Sequence, residues 1–176
     1  AIYHILRRHH GIDNPTFSDI KAFYDKTLHP DVIDFNDQDV YKNVFQAGSW
    51  AGIFQFTETG AQNFCTQVQP TSLIDLAAIT SIYRPGPLGA NVHEEFVEAR
   101  RTPQHLKFFN EVHRDVTEET FGFLIFQEQI AQLAHTLGRD ISLDEGNMLR
   151  KVLTKKGTGK EDKVKSILHK KFVDGC

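Results

Sequence analysis

Pro70-Thr71-Ser72-Leu73-Ile74-Asp75-Leu76-Ala77-Ala78-Ile79-Thr80-Ser81-Ile82-Tyr83-Arg84-Pro85-Gly86-Pro87-Leu88 decides the fold class. Ile74, Ala77, Ala78 and Ile82 recur at helical spacing, and Pro70-Thr71-Ser72 supplies a helix start. Pro85, Gly86 and Pro87 forbid continuation, because proline lacks the amide hydrogen that an interior turn donates. The same alternation of apolar stripe and breaker runs outward in both directions. Upstream, Ala61, Phe64, Cys65 and Val68 make one stripe. Val40, Tyr41, Val44 and Phe45 make another, with Asn36 or Asp37 able to cap it and Gly48 to stop it. Phe17, Ile20, Phe23, Tyr24 and Leu28 form a third, ended by His29-Pro30. Ile2, Ile5, Leu6 and His9 form a fourth before Gly11.

Downstream, helices are expected at about residues 91–101 and 127–137, the second with Ile130, Leu133, Ala134 and Leu137 inward and Gly138 at its end. Ser142-x-x-Glu145 is a capping box opening a helix through Met148, Leu149 and Val152. Val164, Ile167, Leu168 and Phe172 make a last stripe. Two stretches break the pattern. Residues 49–56, with Trp50, Phe54 and Phe56 alternating, are expected to be extended. Residues 121–126 are expected to be a short buried strand or the first turn of the next helix. The expected fold is mainly α, with little strand. Its expected parts are a helical lead-in over residues 1–35, a helical core over 36–156 and a flexible, basic, helical C-terminal extension, truncated, over 157–176.

Of the 176 residues, 40% are hydrophobic and 24% charged, so a buried core is available and general disorder is excluded. No apolar run approaches the roughly 18 residues of a membrane span, and no secretory signal is visible at the start. The net charge of −3 speaks against a nucleic-acid binder only until it is divided. Residues 150–176 hold nine Lys or Arg against three Asp or Glu, a net of +6, and residues 1–149 carry −9. A basic tail sits on an acidic body. Two cysteines, Cys65 and Cys176, are too few for a disulfide framework or a four-Cys zinc site. They fit a reducing cytoplasm, with Cys65 in the core. The chain starts on Ala1 and ends on Cys176 directly after a helix, so both ends are expected to be cuts in something longer.

The sharpest motif is Tyr83-Arg84-Pro85-Gly86-Pro87-Leu88. Two prolines around a glycine make a rigid turn that holds one arginine, whose planar fork suits a phosphate. The plainer reading is a helix stop with Arg84 solvated. Asp37-Gln38-Asp39 has the look of a two-metal carboxylate pair, but acidic residues at a helix start serve the dipole and the cap, and that reading is preferred. Gly157-Thr158-Gly159-Lys160 fails as a phosphate loop, since Thr154 and Glu161 stand where Gly and Ser or Thr are required. The nine histidines are dispersed with no metal-ligand spacing. Gln127-Glu128-Gln129 precedes an apolar stripe and reads either as a helix start or as amides placed beside a ligand. Arg150, Lys151, Lys155 and Lys156 begin the basic tail, a phosphate-backbone footprint or a solvated helix face.

In order along the chain, five groups of residues carry a resemblance. They are Gly52-Ile53-Phe54-Gln55-Phe56; residues 76–88, with Tyr83-Arg84-Pro85-Gly86-Pro87-Leu88; Phe121-Gly122 with Phe126-Gln127-Glu128-Gln129-Ile130-Ala131-Gln132-Leu133-Ala134; Met148-Leu149-Arg150-Lys151 with Lys155-Lys156; and Lys171-Phe172-Val173-Asp174-Gly175. Together, from about residue 36 to 175, they resemble the C family of bacterial replicative DNA polymerases, the DNA polymerase III alpha subunits. Arg7 to Ile12 looks like the lead-in to that region.

The resemblance implies a fragment of the fingers region, a helical lobe over the incoming nucleotide and the templating base. By it, Arg84 and Tyr83, with Phe126, Gln127 and Gln129, become dNTP-side candidates, and Arg150, Lys151, Lys155 and Lys156 become DNA-phosphate contacts. It implies DNA-directed DNA polymerase as the parent activity, with Mg2+ held by palm aspartates outside this chain, no catalytic residue or metal site within it, and no activity of the piece alone. The implied partners are primer-template DNA, dNTP and the other polymerase domains and holoenzyme subunits, with no membrane, in the cytoplasm. The competing reading is a non-enzymatic helical DNA-binding module using the basic tail. Phe126 stands where the family has Tyr, Leu153-Thr154-Lys155-Lys156 replaces Met-Gly-Lys-Lys, and residues 13–35 are longer than the family pattern.

Overall fold

The computed structural model describes the backbone of residues 1–154 and 161–175 and the side chains of 1–151, 166 and 168–175. Lys155, Lys156 and Cys176, the stretch Gly157-Thr158-Gly159, and the side chains of Val152, Val164 and Ile167 lie outside the described residues. The described residues form helices joined by turns and irregular loops, with no strand among them. They divide into two compact units, Ala1–Asp37 and Gln38–Cys176.

In the first unit α1 (Ile2–His9) packs with α2 (Phe17–Thr27). Leu6 is the residue of the α1 stripe that becomes buried, and the His10 ring meets Phe23 edge-on at 5.3 Å. Thr16 and Asp19 close a capping box at the start of α2, each side chain accepting from the other's backbone amide. The predicted apolar stripe is only half used: Ile20 and Phe23 are half-buried, whereas Phe17 is 81% exposed and Tyr24 and Leu28 are also exposed.

The core of the second unit is built on α4 (Thr59–Val68), α5 (Leu73–Ile82) and α7 (Val92–Arg101). Phe64, Cys65 and Val68 of α4, Ala78, Ile79 and Ile82 of α5, and Phe96 and Val97 of α7 are buried together with Phe56 and Ala61. α3 (Gln38–Val40) leads into a π-helical turn, Tyr41–Gln46, instead of the regular helix the stripe predicts. Ala47 and Ser49 there donate to carbonyls five residues back, at 3.1 and 2.8 Å.

Residues 49–56 are not extended. Ile53 donates to the Trp50 carbonyl at 3.0 Å and Phe56 to the Ile53 carbonyl at 3.4 Å, so the segment folds as two turns. Gly52 and Gln55 both have positive φ, 79° and 67°, which no strand accommodates. The rigid turn expected at the prolines after Tyr83 is a helix start instead. Arg84 is extended (φ −139°, ψ 153°), as a residue before proline prefers, and Pro85 then opens the short helix α6 (Pro85–Gly89) from its first position.

Residues 121–126 are neither strand nor helix. α8 (Glu111–Thr117) runs into a 3-10 turn, Glu118–Thr120, which ends with Phe121 in the left-handed region. Gly122 donates back to the Thr117 carbonyl at 2.9 Å. The rings of Phe121 and Phe123 then lie edge-on against Phe96, at 5.4 and 5.9 Å. Beyond them α9 (Gln127–Leu137), α10 (Leu143–Thr154) and α11 (Glu161–Gly175) pack together. Ser142 and Glu145 form the predicted capping box, while Met148, expected inward, is 51% exposed.

Candidate functional site

The end of α5 and the start of α6 form one wall of a cavity of about 470 Å³. Ile79, Thr80 and Tyr83 come from α5 and its cap, Pro85 and Leu88 from α6, and residues 55–58 with Ala61 close the other side. Arg84 is exposed at this cavity, its backbone fixed by a bond from Leu88 N to its carbonyl at 3.0 Å. Its guanidinium has no hydrogen-bond or ion-pair partner among the described residues. Tyr83 is half-buried and packs on Gly60, where a Cβ would overlap the phenol oxygen and approach the ring to 3.0 Å. The cavity therefore offers one uncommitted cation beside an aromatic wall. Glu58 is also in the lining, so an anion is favoured only at the Arg84 end.

Gln129 occupies a different place from the one its sequence position suggests. Its side chain is 7% exposed and all four of its amide bonding positions are taken inside the protein. Oε1 accepts from the Ile125 and Phe126 amides, each at 2.8 Å, which satisfies donors at the head of α9. Nε2 donates to the Val116 carbonyl at 3.0 Å and to Thr120 Oγ1 at 2.8 Å. Gln129 thus ties α9 to α8 and to the loop between them, with no bonding position left for a ligand. Phe126, half-buried, packs against the core at the head of α9.

Gln127, by contrast, is exposed, and its Oε1 accepts from Arg150 Nη1 across α9 and α10. Two residues singled out separately in the sequence meet directly. Lys151, next to Arg150, is exposed. The lining of the Arg84 cavity includes neither Phe126, Gln127 nor Arg150. The candidates form a cavity group, Tyr83 with Arg84, and a helix-pair group, Gln127 with Arg150 and Lys151.

Sequence reasoning missed the polar walls Gln55, Thr57, Glu58 and Thr80, which carry no signature of their own. It also missed a buried network beneath α5. Asp75 caps Ser72 at the helix start, accepts from Thr71 N at 2.8 Å, and is gripped by Arg100 of α7. The pattern Ser72-x-x-Asp75 could have revealed the cap, but nothing local reveals Arg100.

Among the described residues no three His, Cys, Asp or Glu side chains converge where a metal ion could sit, and Asp39 lies in the first turn of α3. No helix among them is long and apolar enough to cross a membrane. Cys65 is fully buried, and burial pushes its thiol up to about 12, so it stays a thiol and not a nucleophile at neutral pH.

Comparison with known proteins adds the wider frame. Residues 12–176 match the model of the family described as bacterial DNA polymerase III alpha subunit finger domain. The DNA polymerase III subunit alpha of Campylobacter jejuni is 31% identical over 157 residues, covering 89% of this chain and 13% of that protein. Its counterpart in Treponema pallidum is 32% identical over 126 residues, 71% of this chain and 10% of that protein. The Helicobacter pylori subunit is 29% identical over 156 residues, 86% of this chain and 12% of its own length. The chain spans about an eighth of these relatives.

Proposed function

The chain belongs to the finger-domain family of bacterial DNA polymerase III alpha subunits, and on that premise we propose that it receives the incoming deoxynucleoside triphosphate in template-directed DNA synthesis. The observation that carries this reading is Arg84, whose guanidinium is exposed and uncommitted at the mouth of the α5–α6 cavity. A triphosphate is a polyanion with paired oxygens. A guanidinium held by a fixed backbone offers it bidentate bonds that stay charged at any physiological pH. Tyr83 and Leu88 form the low-dielectric wall that strengthens this attraction.

In this reading Gln127, Arg150 and Lys151 face the primer-template, with the Gln127–Arg150 bond holding the guanidinium toward the backbone phosphates. Lys155 and Lys156 extend the same basic run. Phe126 supports the head of α9, and Gln129 positions it without touching substrate. Mg2+ and the carboxylates that hold it belong to the rest of the subunit, as do the catalytic step and the contacts with other replication proteins in the cytoplasm. This chain contributes positioning, and alone it extends no primer.

The test is Arg84→Ala in the polymerase subunit that carries this segment. The expected result is a rise in KM for dNTP of about tenfold or more, one charge-assisted contact being worth about 1.5–3 kcal/mol, with primer-template affinity unchanged. An equal loss of both would make Arg84 a structural residue.

A further inference from the structure

A second cavity, of about 580 Å³, shares no residue with the Arg84 cavity. Its lining includes Glu95 and Glu98 of α7, Lys107 and Phe109 of the following loop, His113 of α8, and Phe121. His113 is only 8% exposed, and its Nδ1 is buried without a hydrogen-bond partner. The backbone of His113 is held on both sides. Its amide donates to Asn110 Oδ1 at 2.8 Å, and its carbonyl accepts from Thr117 Oγ1 at 2.6 Å. Its ring lies between two phenylalanines, 5.0 Å from Phe109 and 5.9 Å from Phe108. The imidazole is therefore fixed in place with one nitrogen unsatisfied, a costly arrangement in a buried position.

Phe109, which meets that imidazole edge-on, is itself 91% exposed, so the faces of its ring are open. Glu95 and Glu98 stand three residues apart on α7 and share one face of the helix. Among the described residues neither carboxylate forms an ion pair, with Lys107 or with any other cation. The surrounding chain has the same sign. Residues 92–120 hold seven Asp or Glu against four Lys or Arg, and Arg100, one of the four, is committed to Asp75. Such a surface repels a phosphate backbone and attracts a cation.

We infer that this cavity is a docking site for an arginine presented by a separate protein. Arginine is the side chain whose chemistry meets every feature of the lining. Its guanidinium stacks flat on an exposed aromatic ring. Its N–H groups serve carboxylates in pairs, and one more can reach His113 Nδ1, an acceptor when the ring proton is on Nε2. A lysine ammonium is a compact point charge and cannot span ring, carboxylates and imidazole together. Two open carboxylates beside one ring make a face more charged than a permanent, apolar interface, so the partner is one that binds and leaves. The inference does not rest on Arg84 and survives if the nucleotide site fails.

The experiment uses the polymerase subunit that carries this segment, free of DNA. The probe is a fluorescein-labelled pentapeptide with one arginine among glycines, followed by anisotropy. Matched peptides carry lysine or citrulline instead. The arginine peptide is expected to bind about fivefold more tightly than the lysine peptide, and the citrulline peptide, which has no charge, more weakly still. Phe109→Ala and Glu98→Gln should each weaken the arginine peptide about fivefold. His113→Phe, which keeps a ring but removes the nitrogen, should weaken arginine and leave lysine unchanged. Phe109→Ala should keep the parent's urea midpoint, primer extension and primer-template affinity, because its ring is open to solvent. Citrulline binding as well as arginine overturns the proposal, since charge would then play no part. Binding that ignores both Phe109→Ala and Glu98→Gln overturns it by placing the peptide elsewhere. No binding of any peptide overturns it by showing the face covered within the subunit. Loss of primer-template affinity in Phe109→Ala overturns it by giving the face to DNA.

Discussion

Arg100 grips Asp75 with both arms of its guanidinium, Nη1 to Oδ1 at 2.5 Å and Nη2 to Oδ2 at 2.9 Å, across 25 residues of chain. The pair is nearly sealed, with side chains 17% and 7% exposed. Asp75 also accepts from the Thr71 and Ser72 amides, and Arg100 Nη2 reaches the Gln69 carbonyl at 3.2 Å. The Arg100 guanidinium further lies 5.4 Å from the centre of the Phe121 ring. One ion pair therefore joins the end of α4, the start of α5, α7 and the loop before α9.

Asp75→Asn or Arg100→Ala removes one half of this pair and leaves the other charge buried, a change that costs about 3–5 kcal/mol. Arg100→Lys should recover only a minor part, because an ammonium cannot make the two parallel bonds or span to Gln69. Urea unfolding of the three variants checks this. Lysine performing as well as arginine would show that charge alone suffices.

The distance between these partners explains what the sequence could and could not disclose. Helix positions were readable because their determinants are local: prolines at 70 and 85, the Ser142–Glu145 box, and the apolar spacing at 61, 64, 65 and 68. The turn over 49–56 was not. Trp50, Phe54 and Phe56 share odd-even parity, but two positive φ values fold the segment back, so Phe54 points away from the core. Gln127-Glu128-Gln129 was legible only as a helix start or as amides beside a ligand, and of the three Gln129 is the one the fold buries. Its role was hidden because the groups it satisfies, Val116 and Thr120, lie 13 and 9 residues earlier. Arg84 was legible as a residue, whereas the other cavity wall comes from a segment whose backbone the pattern misassigned.

The contact between Glu145 of α10 and Lys171 of α11 makes part of the packing pH-dependent. The two side chains meet at 2.7 Å. The Lys171 bond first, and the Ser142 amide second, hold the Glu145 carboxyl below its ordinary value of 4.5. The folded state thus binds the proton more weakly than the unfolded chain. The stabilisation is complete above about pH 4.5 and is lost as pH falls through the lower folded value. Glu145→Gln should lower the thermal midpoint slightly at pH 7, and the gap to the parent should close by pH 3. Because both groups are about one-third exposed, added salt should shrink the gap at neutral pH. A gap independent of pH would mean that the side chain acts through shape alone. In the first unit the Thr16 side chain, chiefly, also holds the Asp19 carboxyl below its ordinary value of 3.8, so that contribution too is lost in acid.

Gly146 sets how closely α10 approaches α9. A Cβ there would stand 2.6 Å from the Ala131 carbonyl oxygen and 3.3 Å from its Cα, and neither atom belongs to a movable side chain. Gly146→Ala gains about 1 kcal/mol of helix propensity. It must also push the two helices apart, and overpacking of this kind costs about 1–3 kcal/mol. The net expectation is a loss of about 1 kcal/mol for alanine and more for valine, read by chemical denaturation. Ala131→Gly should not rescue it, since the obstruction is backbone. The same displacement moves Gln127 on α9 away from Arg150 on α10, so a variant that still folds should bind primer-template more weakly. It should use dNTP normally, because the Arg84 cavity lies on α5 and α6. Loss of dNTP use with DNA affinity intact would couple the two groups of candidate residues through the core and not through the helix pair.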